Sequence, residues 1–324
     1  MTDRPKIILH AGFPKCGTST LQKLFCVDGH RVARSMGLVW IGHGIKLWAN
    51  GAPATEIMYD KEGSLTNLAA LDTEADKTYF LSSEALCSYD YMLEAISKKF
   101  EIDHIVMTVR MPVPMILSEY CWSGWLYRAP RQIYLDGRLE SMTRTIERLR
   151  EFGPVVVCPI EPSKFPSRFC DAIAPTAPSD IEEIAKDAGD VNVSIPPCLA
   201  EALNEAITAL NMEPVPGPMR RYFVNAAMEN KGPEEFRSYM PDAFHSVLNN
   251  ADFVEAEIEK YRQMLEGAGL SNATAREALE LSKDRLTELA KLPVADPSIR
   301  THLREHAGFI LDKVRASHPE AIPA

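Results

Sequence analysis

An apolar run, Lys6-Ile7-Ile8-Leu9, leads directly into HAGFPKCGTST at residues 10–20, and a helix-forming stretch follows it. A strand that ends in a glycine-spaced loop and reopens as a helix is the first half of a βαβ unit, so a parallel sheet is the expected frame. Including its start at 6–11, the chain carries short runs at 37–41, 78–82, 105–109 and 154–160. Most hold few charges and little polar alternation, which suits parallel strands buried on both faces. Helical spacing fills the gaps: a helix is expected over 18–25, and Leu139, Met142, Ile146 and Leu149 share one helical face before the fifth run. The expected fold is α/β: three layers around a central parallel sheet of about five strands, with a helical C-terminal region.

After residue 175 the strand signal stops. Leu199, Leu203, Ile207 and Leu210 mark one amphipathic helix; Val254, Ile258, Tyr261 and Leu265 a second; Ile299, Leu303, Ile310 and Val314 a last one. The stretch MEPVPGP, 212–218, cannot be helix interior, and EGAGL, 266–270, reads as a hinge. The expected organisation is an α/β core at 1–175 with a helical part at 176–265, followed by a C-terminal helical extension at 266–324. No apolar run reaches the length of about 18 residues that a membrane-spanning helix needs, and the N-terminus lacks a signal-peptide pattern. Seven scattered cysteines without a CxxC pair point to reduced thiols in a cytoplasm rather than to disulfides or a zinc site. A net charge of −10 argues against a general nucleic-acid binder.

Gly12 and Gly17 have the spacing of the Walker A pattern G-x-x-x-x-G-K-[ST], and Ser19 takes its final hydroxyl position. Thr18 stands where the Walker lysine would be, and the loop's only lysine, Lys15, lies three positions earlier. The loop backbone and the helix N-terminus can still cradle a phosphate, and the hydroxyls of Thr18, Ser19 and Thr20 can add hydrogen bonds. The cation reaches the ligand from another side.

The string H-x-G-x-P-K-x-G-T-[ST] resembles the 5′-phosphosulfate-binding loop of the sulfotransferases that use PAPS, 3′-phosphoadenosine 5′-phosphosulfate, in their bacterial and carbohydrate-type members. The resemblance implies a P-loop fold in which Lys15 contacts the oxygen bridging sulfate and 5′-phosphate. It implies that Gly12, Pro14, Cys16 and Gly17 supply the loop backbone, and that Thr18, Ser19 and Thr20 hold the 5′-phosphate. A second pattern of the family, R-x-P-x(5)-S-x-Y, is matched by Arg110, Pro112, Ser118 and Tyr120 in VRMPVPMILSEY, with Pro114 as an additional proline. By that resemblance Arg110 and Ser118 bind the 3′-phosphate, and an arginine fork suits that anion. The resemblance covers residues 5–125 and extends loosely to 265. It implies PAPS as co-substrate, 3′,5′-ADP as product, and no metal.

Sulfuryl transfer to a hydroxyl or amine needs a base near the acceptor, and ligands on open parallel sheets bind at the strands' carboxyl ends. The candidates there are Glu84 first, in LSSEAL after the third run, then His43 after the second and Glu161 after the fifth. Ser82 and Ser83 are candidates to hold the sulfuryl group or the base, while His10 beside the loop is open to a structural role. Trp122, Trp125 and Tyr127 are either an acceptor-stacking cluster or core packing, and ENKG, 229–232, faintly resembles a basic closing loop of cytosolic members. The acceptor, a carbohydrate or another small molecule, is not named by the sequence. A small-molecule or nucleotide kinase and a non-catalytic nucleotide-binding protein remain the alternatives.

Overall fold

The five apolar runs become five strands whose side chains are mostly buried, with Val39 and Val156 left exposed on the two edge strands. They are β1 (Lys6–Gly12), β2 (Leu38–His43), β3 (Thr78–Ser82), β4 (Glu101–Val109) and β5 (Val155–Pro159). A computed structural model of the chain describes residues 4–26, 30–43, 61–126, 137–160, 165–174, 178–188, 194–212 and 214–322. The strands form one parallel sheet in the order β2-β3-β1-β4-β5. β4 starts four residues before the apolar run does. Its first half carries Glu101, Asp103 and His104 at half-buried positions, and Lys6 on β1 bonds Asp103 at 3.1 Å. A polar strand end paired to its neighbour has no apolar signature.

Between the strands run α1 (Thr18–Cys26), α2 (Arg31–Ser35), α3 (Lys61–Ala70), α4 (Asp90–Lys99), α5 (Pro112–Trp122) and α6 (Arg138–Arg150). Beyond β5 come α7 (Phe165–Ile173), α8 (Ile181–Ala188), α9 (Pro197–Ala209), α10 (Gly217–Glu229) and α11 (Asp242–Leu248). The last three are α12 (Ala251–Gly267), α13 (Asn272–Ala290) and α14 (Pro297–Ser317). One face of the sheet presents Ile8, Trp40, Phe80, Val106 and Cys158 to Leu21, Phe25, Val32, Phe169 and Ile184 of α1, α2, α7 and α8. Right-handed crossovers place the connections that run the other way, through α3, α4 and α6, on the opposite face. There Tyr79 packs on Phe100, and Lys99 caps α3 through the carbonyls of Leu68, Ala69 and Leu71.

The chain divides into two compact units. The first comprises Met1–Arg110, Leu139–Asn192 and Arg262–Leu279, and holds the whole sheet. In it Arg150 donates to the carbonyls of Gly267 and Ala268, and Arg168 pairs with Glu277, so the turn at 266–270 is held to the sheet-bearing unit. That turn ends α12 with a positive φ at Gly269 and a Leu270 N–H bond to the Leu265 carbonyl, a glycine-based helix stop. The second unit comprises Met111–Arg138, Val193–Tyr261 and Glu280–Ala324. It is helical: α9 packs on α14, Leu199, Leu203, Leu303 and Ile310 of these two helices are buried, and Asn204 donates to the Trp125 carbonyl at 2.8 Å. Among the described residues no helix is long and apolar enough to cross a membrane.

Candidate functional site

The first unit concentrates the loop residues at the carboxyl end of β1. Phe13 donates its N–H to the Thr108 carbonyl of β4 at 3.2 Å, which carries the sheet pairing one residue past the strand. A tight turn follows, closed by Cys16 N–H to the Phe13 carbonyl at 3.0 Å. Pro14 takes the second position of this turn, and Lys15, with φ of 62°, the third. A positive φ at the third position normally selects glycine or asparagine. A lysine held there costs about 1–2 kcal/mol of backbone strain, and strain of this kind gathers at functional sites. Gly17 also has a positive φ, 78°, and a Cβ on it would meet the Phe165 ring at 2.9 Å, so glycine is required on both counts. Leu21 N–H then reaches the Gly17 carbonyl at 3.1 Å and starts the α1 ladder. The amides of the first turn precede that ladder and lie at the positive end of the helix.

Thr18 differs from its expected role. Its side chain is buried, and its hydroxyl meets no hydrogen-bond partner. It packs on Gly12, where an added Cβ would stand only 1.9 Å from Thr18 Oγ1. The position that carries the lysine in a Walker loop therefore points a short side chain inward. Ser19 and Thr20 are half-buried, as are Pro14 and Lys15.

Beneath the loop lies a buried polar chain. His10 is fully buried; its Nδ1 meets Ser82 Oγ at 2.7 Å, its Nε2 meets Thr108 Oγ1 at 3.1 Å, and its ring edge packs on Phe169. Burial pushes its pKa down to about 3, so the ring is neutral near physiological pH. Gln22 of α1 donates to both the carbonyl and the hydroxyl of Ser82 at 3.2 Å. Ser83 gives its N–H to the His10 carbonyl at 2.9 Å, and its hydroxyl accepts from Ala85 N–H. Both serines are thus buried and bonded within the protein, and Ser83 caps the 3₁₀ turn Glu84–Cys87. Glu84, half-buried, opens that turn two residues past the strand end. His43 is the last residue of β2 and pairs in register with Ser82, which sets its backbone beside the strand that leads to Glu84. Glu161 and Tyr127 lie outside the described residues.

Arg110 follows β4 directly and is half-buried. In this strand order the chain leaves β1 toward β2 and leaves β4 toward β5, in opposite directions. The carboxyl edge between β1 and β4 is therefore the topological switch point, where open α/β sheets bind ligands. Gly12 pairs with Thr108, so the turn carrying Lys15 and the residue Arg110 both start from this edge. Ser118 belongs to the second unit, half-buried on α5, a helix that accommodates both Pro112 and Pro114 in its first turn. On the same helix Tyr120 is buried against Phe244. Trp125 is fully buried core, and Trp122 is half-buried. In the ENKG stretch, Asn230 is engaged by His306 Nε2 at 2.8 Å and by Lys313 at 2.9 Å.

No family model, curated protein or solved structure matches this chain. Sequence reasoning missed Gln22 and Thr108. A threonine inside an apolar strand and a glutamine facing the core from an amphipathic helix were the only signals, and neither names its partner.

Proposed function

We propose that this chain is a sulfotransferase that moves the sulfuryl group of PAPS to a hydroxyl or amine and releases 3′,5′-ADP. The observation that carries the reading is Lys15, held at positive φ in a tight turn at the switch-point edge. A lysine kept where glycine would be relaxed is supported best by a role for its ammonium. Loop amides and the start of α1 take the 5′-phosphate, with Ser19 and Thr20 as the available hydroxyls. Lys15 stabilises the charge that develops on the bridging oxygen as the sulfur–oxygen bond breaks. Arg110 takes the 3′-phosphate. Glu84 accepts the acceptor's proton as the new oxygen–sulfur or nitrogen–sulfur bond forms. The inward Thr18 favours this reading over an ATP-using kinase, which needs a lysine at that position.

The test is transfer of labelled sulfate from PAPS into a metabolite extract, with Lys15→Gly as the blank. Sulfated product formed by the wild type and absent with Lys15→Gly and Glu84→Gln supports the reading. Equal labelling by wild type and Lys15→Gly overturns it. Retained 3′,5′-ADP binding without transfer to any acceptor makes the chain a binding protein.

A further inference from the structure

We propose that Ser82 is a positioning residue of this anion site, tying the strand before the Lys15 turn, the helix after it and the strand that leads to Glu84 through one directed hydrogen-bond chain that fixes His10 as its Nε2–H tautomer. The inference rests on the nucleotide reading of the loop for its binding consequence, and on geometry alone for the tautomer. The direction follows from the partners and the lengths. Gln22 Nε2 is a donor only, so Ser82 Oγ accepts from it at 3.2 Å. His10 Nδ1 is the acceptor that faces the Ser82 hydroxyl proton, and its 2.7 Å separation is the length of an O–H donor, whereas the 3.1 Å contact of Nε2 is that of an N–H donor. A neutral ring that accepts at Nδ1 carries its proton on Nε2 and donates it to Thr108 Oγ1 at 3.1 Å.

The chain meets the loop at both of its ends. Thr108 also accepts Phe13 N–H, the first amide of the Lys15 turn, through its own carbonyl. Gln22 lies one helical turn past Thr18 and binds Ser82 by carbonyl as well as hydroxyl. His10 Nε2 lies 3.2 Å from where a Cβ on Gly12 would stand, so the ring backs the contact between Gly12 and Thr18. On the other side, Ser82 is two residues before Glu84, and Ser83 N–H anchors that step to the His10 carbonyl. The hydroxyl of the buried Ser82 thereby couples the strand before the turn, the helix after it and the strand that presents Glu84. Buried polar chains of this kind specify a single arrangement when every member is satisfied.

The experiment uses the full-length chain. Side-chain ¹⁵N spectra of His10 should show the Nε2–H tautomer in the wild type. Ser82→Ala should release it to a tautomer mixture and weaken 3′,5′-ADP binding about tenfold, the effect of one lost hydrogen bond. Gln22→Met keeps the Ser82 hydroxyl but frees its proton, and should also mix the tautomers; it serves if Ser82→Ala fails to fold. A wild-type Nδ1–H tautomer, or wild-type affinity in both variants, overturns the proposal. Absence of 3′,5′-ADP binding by the wild type overturns the nucleotide reading, and with it the positioning role, even where the tautomer is as assigned.

Discussion

His10 in the sheet-bearing unit and Glu201 in the helical unit are both titratable groups drawn out of water, and burial drives them in opposite directions with respect to pH. Burial lowers the His10 pKa to about 3, and the ring sits in a satisfied hydrogen-bond chain. Glu201 is raised to about 7, first by burial and then by the charges of Asp242 and Glu205, with Arg300 acting against them. Asp242 holds Arg300 through both carboxylate oxygens at 2.9 Å. Glu201 shares a depression with Arg300, Glu205 and Arg304, yet the guanidinium of Arg300 is taken by Asp242. The contrast separates two ways of burying a polar side chain. Burial is the first cause of both shifts: it holds a base neutral through the neutral range, and it carries an acid's titration up into that range, where neighbouring like charge adds to the rise.

The largest effect that tests this contrast is expected from Gly12→Ala. The added Cβ would stand 1.9 Å from Thr18 Oγ1 and 3.0 Å from Thr18 Cβ, so the start of α1 must move. We expect a loss of about 1–3 kcal/mol in stability and loss of anion binding, with amide exchange quickened in β1 and α1. Wild-type stability with normal binding would show that the loop is not the packed cradle described.

The pH dependence tests the contrast itself. His10 takes up a proton in the unfolded state below its ordinary value of 6.5 but resists it in the folded state down to about 3. Its contribution to stability is therefore present above 6.5 and is lost as pH falls through this window. Glu201 holds its proton more tightly when folded, so its contribution is present below its ordinary value of 4.5 and is lost as pH rises to about 7. Hydrogen exchange read separately on β1 and α9 should give slopes of opposite sign. Glu201→Gln should flatten only the α9 slope, and an unchanged α9 slope would remove Glu201 as its cause.

The smallest effect is a gain. Gly308 lies inside α14, and a Cβ there meets nothing within 4 Å. Gly308→Ala should stabilise the helical unit by roughly 0.5–1 kcal/mol in a denaturant titration, the reverse of Gly12→Ala. A loss would indicate packing at that face that the structure does not contain.

How much of this was legible in sequence depends on how local its cause is. The strands were readable because burial in the sheet leaves an apolar run, and β3 spans the residues of its run unchanged. The polar start of β4 was hidden because Glu101, Asp103 and His104 are stabilised by pairing rather than by burial. The spacing of Gly12 and Gly17 announced a loop, whereas the positive φ at Lys15 did not show, because a lysine is not the residue such a turn selects. The hydroxyl of Thr18 was expected at the ligand; its inward direction follows from the space Gly12 leaves, a tertiary fact. The roles of Ser82 and His10 were hidden for the same reason. Their partners are separated by 60, 72 and 98 residues and meet only when the sheet forms.

The central claim is that Lys15 and the turn around it bind a nucleotide phosphate. Calorimetric titration of 3′,5′-ADP in the presence of a chelator, into the wild type and Lys15→Gly, tests it most directly. Glycine relieves the strain at this position, so the variant should be at least as stable as the wild type, yet its affinity should fall about 10–100-fold for want of a charged hydrogen-bond donor. Equal affinity in the two proteins, or a wild type that prefers ATP with Mg²⁺ over 3′,5′-ADP, would contradict the account.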